Sequence, residues 1–252
     1  MAGMFSSIWH GVFFDPIYNG LIFILNHVPG GDVGVAIIIL TVVIKLLLLP
    51  LSVRATKTQH AMRELEPKLA EIKEKHKDDR EKLARETMGA YKEAGVNPFA
   101  SILLILIQLP VIIALYLSVY RGGGVALPAI NVDLLYSFVP TPETATMMFL
   151  GFMDIAARSF PLAFLAGVTQ FYHTRLSLPP LAPKEKDAKP SFKDDFQRSM
   201  QMQMRYVMPI IIFFVAYTIS AAIALYFLVS NLMAIAQEYF IKWHVPAPEK
   251  KD

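Results

Sequence analysis

One basic residue stands inside an apolar run and sets the chemistry to look for. Lys45 lies in 33–53, whose other residues are almost all aliphatic. Placing a lysine near the centre of a membrane-spanning helix costs roughly 2.5–3.5 kcal/mol on insertion scales, and such residues usually face a bundle interior or a watery cavity. Thr41 sits four residues earlier, one turn away on the same helical face. Gln108, Thr169 or Thr174, Ser230 and Asn231 are the polar residues in the other apolar runs that could complete a lining. No Asp or Glu lies deep in any run, and Glu238 stands near the end of the last one. The chemistry this implies is electrostatic: an ammonium group open to water, able to hold an incoming carboxylate. The competing reading is a snorkelling lysine whose stem carries the charge to the interface. Leu46–Leu51, a further apolar stretch before Arg54, weigh toward the cavity.

Bond-making chemistry finds little support. The chain has no cysteine, which excludes a disulfide scaffold, a thiolate metal site, a thiol nucleophile and an acylated amino-terminal cysteine. Its six histidines show neither metal-ligand spacing nor a paired nucleophile. No G-x-S-x-G, H-E-x-x-H or phosphate-cradling glycine loop occurs, and Gly122-Gly123-Gly124 reads as a flexible turn. The missing intramembrane carboxylates also argue against a proton- or sodium-coupled pump. The expectation is a protein that is not an enzyme, with no cofactor, no metal and no direct nucleic-acid partner.

The elements that must position these residues are apolar helices. Hydrophobic residues make up 54% of the 252-residue chain, above the usual 45–50%. A span needs about 20 such residues. Runs over 33–53, 97–121 and 159–176 qualify, the third being shorter and more polar. The run Val207–Ile241 would reach roughly 50 Å as one helix, against a hydrocarbon core of about 30 Å. It therefore divides, near Thr218–Ala222, into spans over 204–220 and 221–241. Five spans result, with four as the alternative. Residues 1–32 contain an apolar stretch interrupted by Asp15-Pro16 and Asn19-Gly20. It suits an interfacial helix with Trp9, Phe13 and Tyr18 at headgroup level, and it lacks the basic start of a secretory signal. Within the connection 122–158, residues 144–157 read as a second short interfacial helix.

Charge supplies orientation. Twenty-one of the 24 basic residues fall in 54–96, in Arg175–Arg205 or in the tail 242–252. The positive-inside rule puts those segments in the cytoplasm, with the amino terminus outside and the carboxyl terminus inside. The segment 54–96 is rich in helix formers, with Met62, Leu65, Leu69 and Ile72 on one stripe and Leu83, Thr87, Met88 and Tyr91 on another. It reads as an antiparallel helical hairpin, either a solvated spacer or a docking surface. Asn97-Pro98 then caps the second span. The loop 177–203 is rich in Pro and Lys, and Met200, Met202, Met204 and Met208 approach the fourth span as gap-filling methionines. The fold class is thus an all-α polytopic membrane protein: a five-transmembrane-helix core with a cytoplasmic helical hairpin.

The ordered runs ILTVVIKLLLLPL at 39–51, Met62-Arg-Glu-Leu-Glu-Pro67-Lys and Glu86-Thr-Met-Gly-Ala-Tyr-Lys92 resemble those of the YidC/Oxa1/Alb3 membrane protein insertases. So do Gly95-Val-Asn-Pro98, Ile107-Gln-Leu-Pro-Val111, Gly167-Val-Thr169 and Leu225-Tyr-Phe-Leu-Val-Ser-Asn-Leu232. The resemblance runs over about residues 8–242. It implies a hydrophilic, positively charged groove in the inner leaflet, open to cytoplasm and lipid, that inserts and helps fold integral membrane proteins. It places Lys45 where bacterial relatives usually carry Arg, which keeps the charge and loses the planar fork. It assigns substrate contacts to Lys45, Thr41, Gln108, Leu109, Pro110, Ile112, Tyr226 and Phe227. The implied partners are nascent membrane proteins and lipid, with a Sec translocon, ribosome or signal recognition particle pathway meeting hairpin 54–96. The implied location is the bacterial plasma membrane. Two other functions remain open from the residues: a small-anion channel or facilitator selecting through Lys45, and a translocon-associated assembly chaperone acting through the hairpin.

Overall fold

Residues 6–27 form one continuous helix in the computed structural model, which describes residues 6–76, 79–95, 100–120, 124–178, 199 and 202–244. Its first turns, Trp9–Phe14, are π-helical, and the remainder is α1, Asp15–His27. Asp15-Pro16 does not interrupt it: Pro16 is the second residue of the α-helical part, directly after the π-helical turns. Gly20 sits where α1 crosses the next helix; a Cβ there would lie 3.3 Å from Leu40. Ser6–His27 is long and apolar enough to cross a membrane, whereas the sequence reading laid it in the interface.

The other elements are α2 (Val33–Leu47), α3 (Leu49–Lys75), α4 (Arg80–Glu93), α5 (Ala100–Tyr120), α6 (Phe160–Ser177), α7 (Met208–Ile219, entered by a π-turn at Gln203–Val207) and α8 (Ala221–His244). The expected first span, 33–53, is not straight. It breaks after Leu47, and α2 and α3 meet at 61°. Pro50 explains the break: it occupies the first turn of α3, so α2 must stop before it. The long run at 207–241 divides at Ser220, whose extended backbone (φ −173°, ψ 167°) separates α7 from α8. Ala221 and Ala222, the first donors of α8, bond to the carbonyls of Ala157 and Ile155 at 2.8 and 3.0 Å. The turn is thus held from the connection and needs no helix breaker of its own.

The helices pack as a bundle in which α8 lies against α2, α6 and α7, while α1 covers α2 and α5. Small residues permit the close crossings: Ala163 and Ala166 on α6 and Ala221 and Ala224 on α8 are fully buried. A Cβ on Gly167 would stand 3.1 Å from that of Phe213. The expected interfacial helix at 144–157 is instead a β-hairpin, β1 (Met148–Phe149) against β2 (Met153–Asp154). Leu150 and Gly151 make its turn in the left-handed region, at φ 51° and 77°, which a helix cannot accommodate. Asp32 fixes the hairpin to the bundle. Its Oδ1 caps α2 by accepting from the Val35 N–H, and its Oδ2 accepts from the Leu150 N–H at 2.7 Å. Polar side chains of α1 grip the same connection: Asn19 holds the backbone of Leu134 and Tyr136, and Asn26 that of Pro140.

At the opposite end, α3 and α4 form the antiparallel hairpin. Met62, Leu65, Leu69 and Ile72 are half-buried, while Met88 stays exposed and Ala90 takes the inward place on α4. Lys68 pairs with Glu93 across the two helices at 2.8 Å, and Arg85 with Glu81 along α4 at 3.0 Å. The Asn97-Pro98 cap, Gly122-Gly123, most of the 177–203 loop, Met200 and the end of the tail lie outside the described residues.

Two outcomes follow from this packing. Gly34→Ala would set a Cβ 2.4 Å from the Phe149 ring. It should cost about 1–3 kcal/mol, as overpacking does. Thermal unfolding in detergent measures this, and pairing it with Phe149→Ala should give a loss smaller than the two singles combined. In the hairpin, the Lys68 hydrogen bond and charge hold the Glu93 carboxyl below the usual carboxylate range. A depressed folded value means this contribution is present above the unfolded pKa and disappears as pH falls through the folded one. Amide exchange across α3 and α4, corrected for intrinsic rates, should therefore show an acid-side loss of protection that Glu93→Gln lacks.

Candidate functional site

Three helices bring a polar side chain to one place inside the bundle. Lys45 is in the last turn of α2, just before the break that Pro50 imposes. Its Nζ donates to Gln108 Oε1 of α5 at 3.4 Å. The amide of Gln108 in turn donates from Nε2 to the Tyr226 hydroxyl of α8. The Gln108 side chain thus spends its acceptor on Lys45 and a donor on Tyr226, and is fixed between them. Tyr226 is only 2% exposed, packed edge-on against Phe227. Lys45 itself is half-buried. Among the described residues no carboxylate reaches it, and Gln108 uses one of its three N–H donors. The other two are available to water or to an anion.

The structure divides the remaining expected residues. Thr41 is buried on the same face as Lys45, but its hydroxyl bonds back to the Ile37 carbonyl at 2.6 Å. Its polarity is therefore spent inside α2. Phe227 and Ile112 are half-buried against the core. Leu109 and Pro110 face elsewhere: with Ile8, Trp9, Phe13 and Ile113 they line a wholly apolar cleft of about 220 Å³ between the amino-terminal helix and α5. Thr169 and Asn231 do not join the polar lining expected of them. Asn231 Nδ2 donates to Thr169 Oγ1 at 3.3 Å and to the Ala166 carbonyl at 3.2 Å, and so ties α8 to α6. Thr174 bonds within α6, to Gln170.

A second polar cluster was not anticipated. Glu238 of α8 is 2% exposed; its Oε1 accepts from Ser177 of α6 at 2.8 Å, and its Oε2 lies 3.1 Å from His60 Nε2 of α3. Beside it, Gln237 accepts from Ser52 at 2.7 Å and donates to Thr56 at 3.2 Å. The sequence did hold a signal for this. Ser52, Thr56 and His60 recur every four residues, a polar stripe on one face of α3. A segment boundary at residue 54 divides that stripe between an apolar run and a charged one. Among the described residues no group of three or more potential metal ligands occurs.

Comparison with known proteins places this arrangement. Residues 24–248 match the family described as 60Kd inner membrane protein. The chain is 34% identical over 241 residues to the membrane protein insertase YidC of Oceanobacillus iheyensis, covering 94% of this chain and 84% of that protein. It is 31% identical over 230 residues to the protein of the same name from Clostridium tetani, covering 91% and 90%. The Francisella tularensis subsp. novicida protein of that name is 29% identical over 237 residues, which span 37% of its longer chain. With a family match over residues 24–248 and relatives matched along nearly its whole length, this all-α polytopic membrane protein belongs to the YidC family.

Proposed function

We propose that this chain is a membrane protein insertase and folding factor that works through a hydrated, positively charged groove built around Lys45, without nucleotide or cofactor. The single observation that carries the mechanism is a half-buried ammonium held by a neutral amide and opposed by no described carboxylate. Relatives of similar length along 84–90% of their own chains bear the insertase name. The basic hairpin end is taken as cytoplasmic and the 124–158 connection as outside, following the charge segregation.

The physical sequence is short. A polar, acidic tail of a nascent client enters from the hairpin end, where water and the dipoles of Gln108 and Tyr226 replace bulk solvent. Lys45 offers its free donors and its charge, so the tail crosses only part of the hydrocarbon thickness. The client's apolar segment then leaves sideways into lipid. Transfer of that segment, at about 25 cal/mol per Å² of apolar area, makes the step downhill. Thr41, Ile112 and Phe227 shape the wall around Lys45. Leu109 and Pro110 supply apolar surface on the far face of α5, toward the amino-terminal helix. Clients and lipid are the partners this mechanism requires. A Sec translocon, ribosome or signal recognition particle pathway would meet hairpin 54–96.

The test is insertion into proteoliposomes of a short-tailed client carrying one or two acidic residues. Lys45→Arg should keep activity, since charge and donors persist. Lys45→Ala should slow insertion, and Lys45→Glu should slow it by about tenfold or more, equivalent to about 1.4 kcal/mol of lost attraction. Normal insertion by Lys45→Glu would remove the electrostatic part of the mechanism. Anion conductance by the same vesicles, abolished by Lys45→Ala, would instead favour the channel reading. The contact network makes a milder outcome specific to Tyr226→Phe. Loss of the Gln108 hydrogen bond should cost about 1 kcal/mol of stability by thermal unfolding, with Lys45-dependent insertion retained.

A further inference from the structure

The polar cluster on α8 lies outside the Lys45 contact and does something the groove alone does not require. Gln237 and Glu238 are adjacent, yet between them they hold Ser52, Thr56 and His60, one face of α3 over more than two turns. From His60, α3 continues unbroken to Lys75, so this contact is the root from which the hairpin projects. Fifteen further residues make a lever of about 22 Å at 1.5 Å per residue. A small change of angle at His60 is a large displacement at the hairpin tip.

The root contact contains a titratable pair. A carboxylate as buried as Glu238 is costly unless hydrogen bonds and a cation oppose it. Ser177 supplies a hydroxyl and His60 an imidazole, which is charged only when protonated. With His60 protonated the contact is an ion pair; with His60 neutral it keeps a hydrogen bond and loses the charge. His173 of α6 lies within electrostatic reach of both Glu238 and Lys45 of α2. On α3, Arg54 and Lys57 are exposed, and α7 carries no acidic or basic residue. The attraction at the root is therefore greatest when His60 is protonated.

The geometry points to a proton-sensitive latch, in which Glu238, acting through His60, docks the root of the α3–α4 hairpin on the bundle and sets how far the hairpin stands from the groove mouth. Glu238 is then a positioning residue. This rests on the groove reading above, because it is the groove's hairpin end that the latch would open or close.

The absence of cysteine lets a distance be read directly in the full chain. Spin labels on Glu71→Cys and Ala236→Cys, both exposed positions, would report the hairpin-to-bundle separation in lipid vesicles. Between about pH 5.5 and about pH 8, the parent should pass from one narrow distance to a broad, longer distribution. Glu238→Gln and His60→Gln, which keep a hydrogen bond and remove the charge pair, should lose that pH response; His173→Gln should retain it. A parent-like response in Glu238→Gln, or its disappearance with His173→Gln but not with His60→Gln, would overturn the latch. Because the Gln variants conserve shape and hydrogen bonding, they carry the test where Glu238→Ala fails to fold. Insertion by Lys45→Ala in the same vesicles is scored separately. Normal insertion there would end the groove reading, while the distances still decide the latch.

Discussion

A lysine ammonium among aliphatic side chains is stable only where water or fixed dipoles can reach it, and much of this structure is arranged around that requirement. Lys45 meets it with an uncharged partner. Gln108 comes from α5 and is held in turn by Tyr226 of α8, so one contact needs three helices in register. The break at Pro50 matters as much as the partners. It ends α2 two residues after Lys45 and swings the following helix away by 61°, so no straight helical turn continues past the charge to shield it. A carboxylate in Gln108's place would have formed a closed ion pair. A neutral amide fixes the lysine's direction and leaves its charge unspent.

The opposite end of the bundle is organised by backbone satisfaction rather than by charge. Turns at Ser220 and at the β-hairpin expose amide groups that neither lipid nor side-chain packing can satisfy. Each is met from a neighbouring segment: Ala221 and Ala222 from the 155–157 backbone, Leu150 from Asp32, and the 134–140 backbone of the connection from Asn19 and Asn26. The polar residues of α1 that look like interruptions in an apolar helix are thus its links to the connection. Gly31 and Gly34 serve the same contact by size. A Cβ on Gly31 would stand 2.1 Å from the Thr144 carbonyl oxygen, so the backbones meet where no side chain fits.

How much of this was legible in the sequence depended on whether a pattern was local. The apolar helices, the division of the 207–241 run, the helical hairpin and the singular position of Lys45 all arise from composition and periodicity within one segment, and each was readable. Gln108 was singled out because it is a lone polar residue in an apolar run. Contacts that need two distant segments were not legible. Nothing local says that Asp32 will fold 144–157 into strands, or that Thr169 and Asn231 will satisfy each other instead of facing a cavity. Leu109 and Pro110 adjoin Gln108 in sequence, yet on a helix neighbours point about 100° apart per residue, and they turn to the amino-terminal helix instead.

The two polar clusters share a logic that their positions make functional. Lys45 and Glu238 carry opposite charges, and His173 senses both, yet each charge is bonded to a different partner set. Had they met directly, each would have neutralised the other and neither would be available. Gln108 holds the cation toward the α5 side; Ser177 and His60 hold the anion toward α6 and α3. Separation of this kind is costly inside a bundle, since a direct ion pair would recover more Coulomb energy than two charge–dipole contacts. The fold keeps the costlier arrangement by anchoring each charge on its own helices. What results is one positive charge held by a neutral amide, and one buried carboxylate at the root of the hairpin.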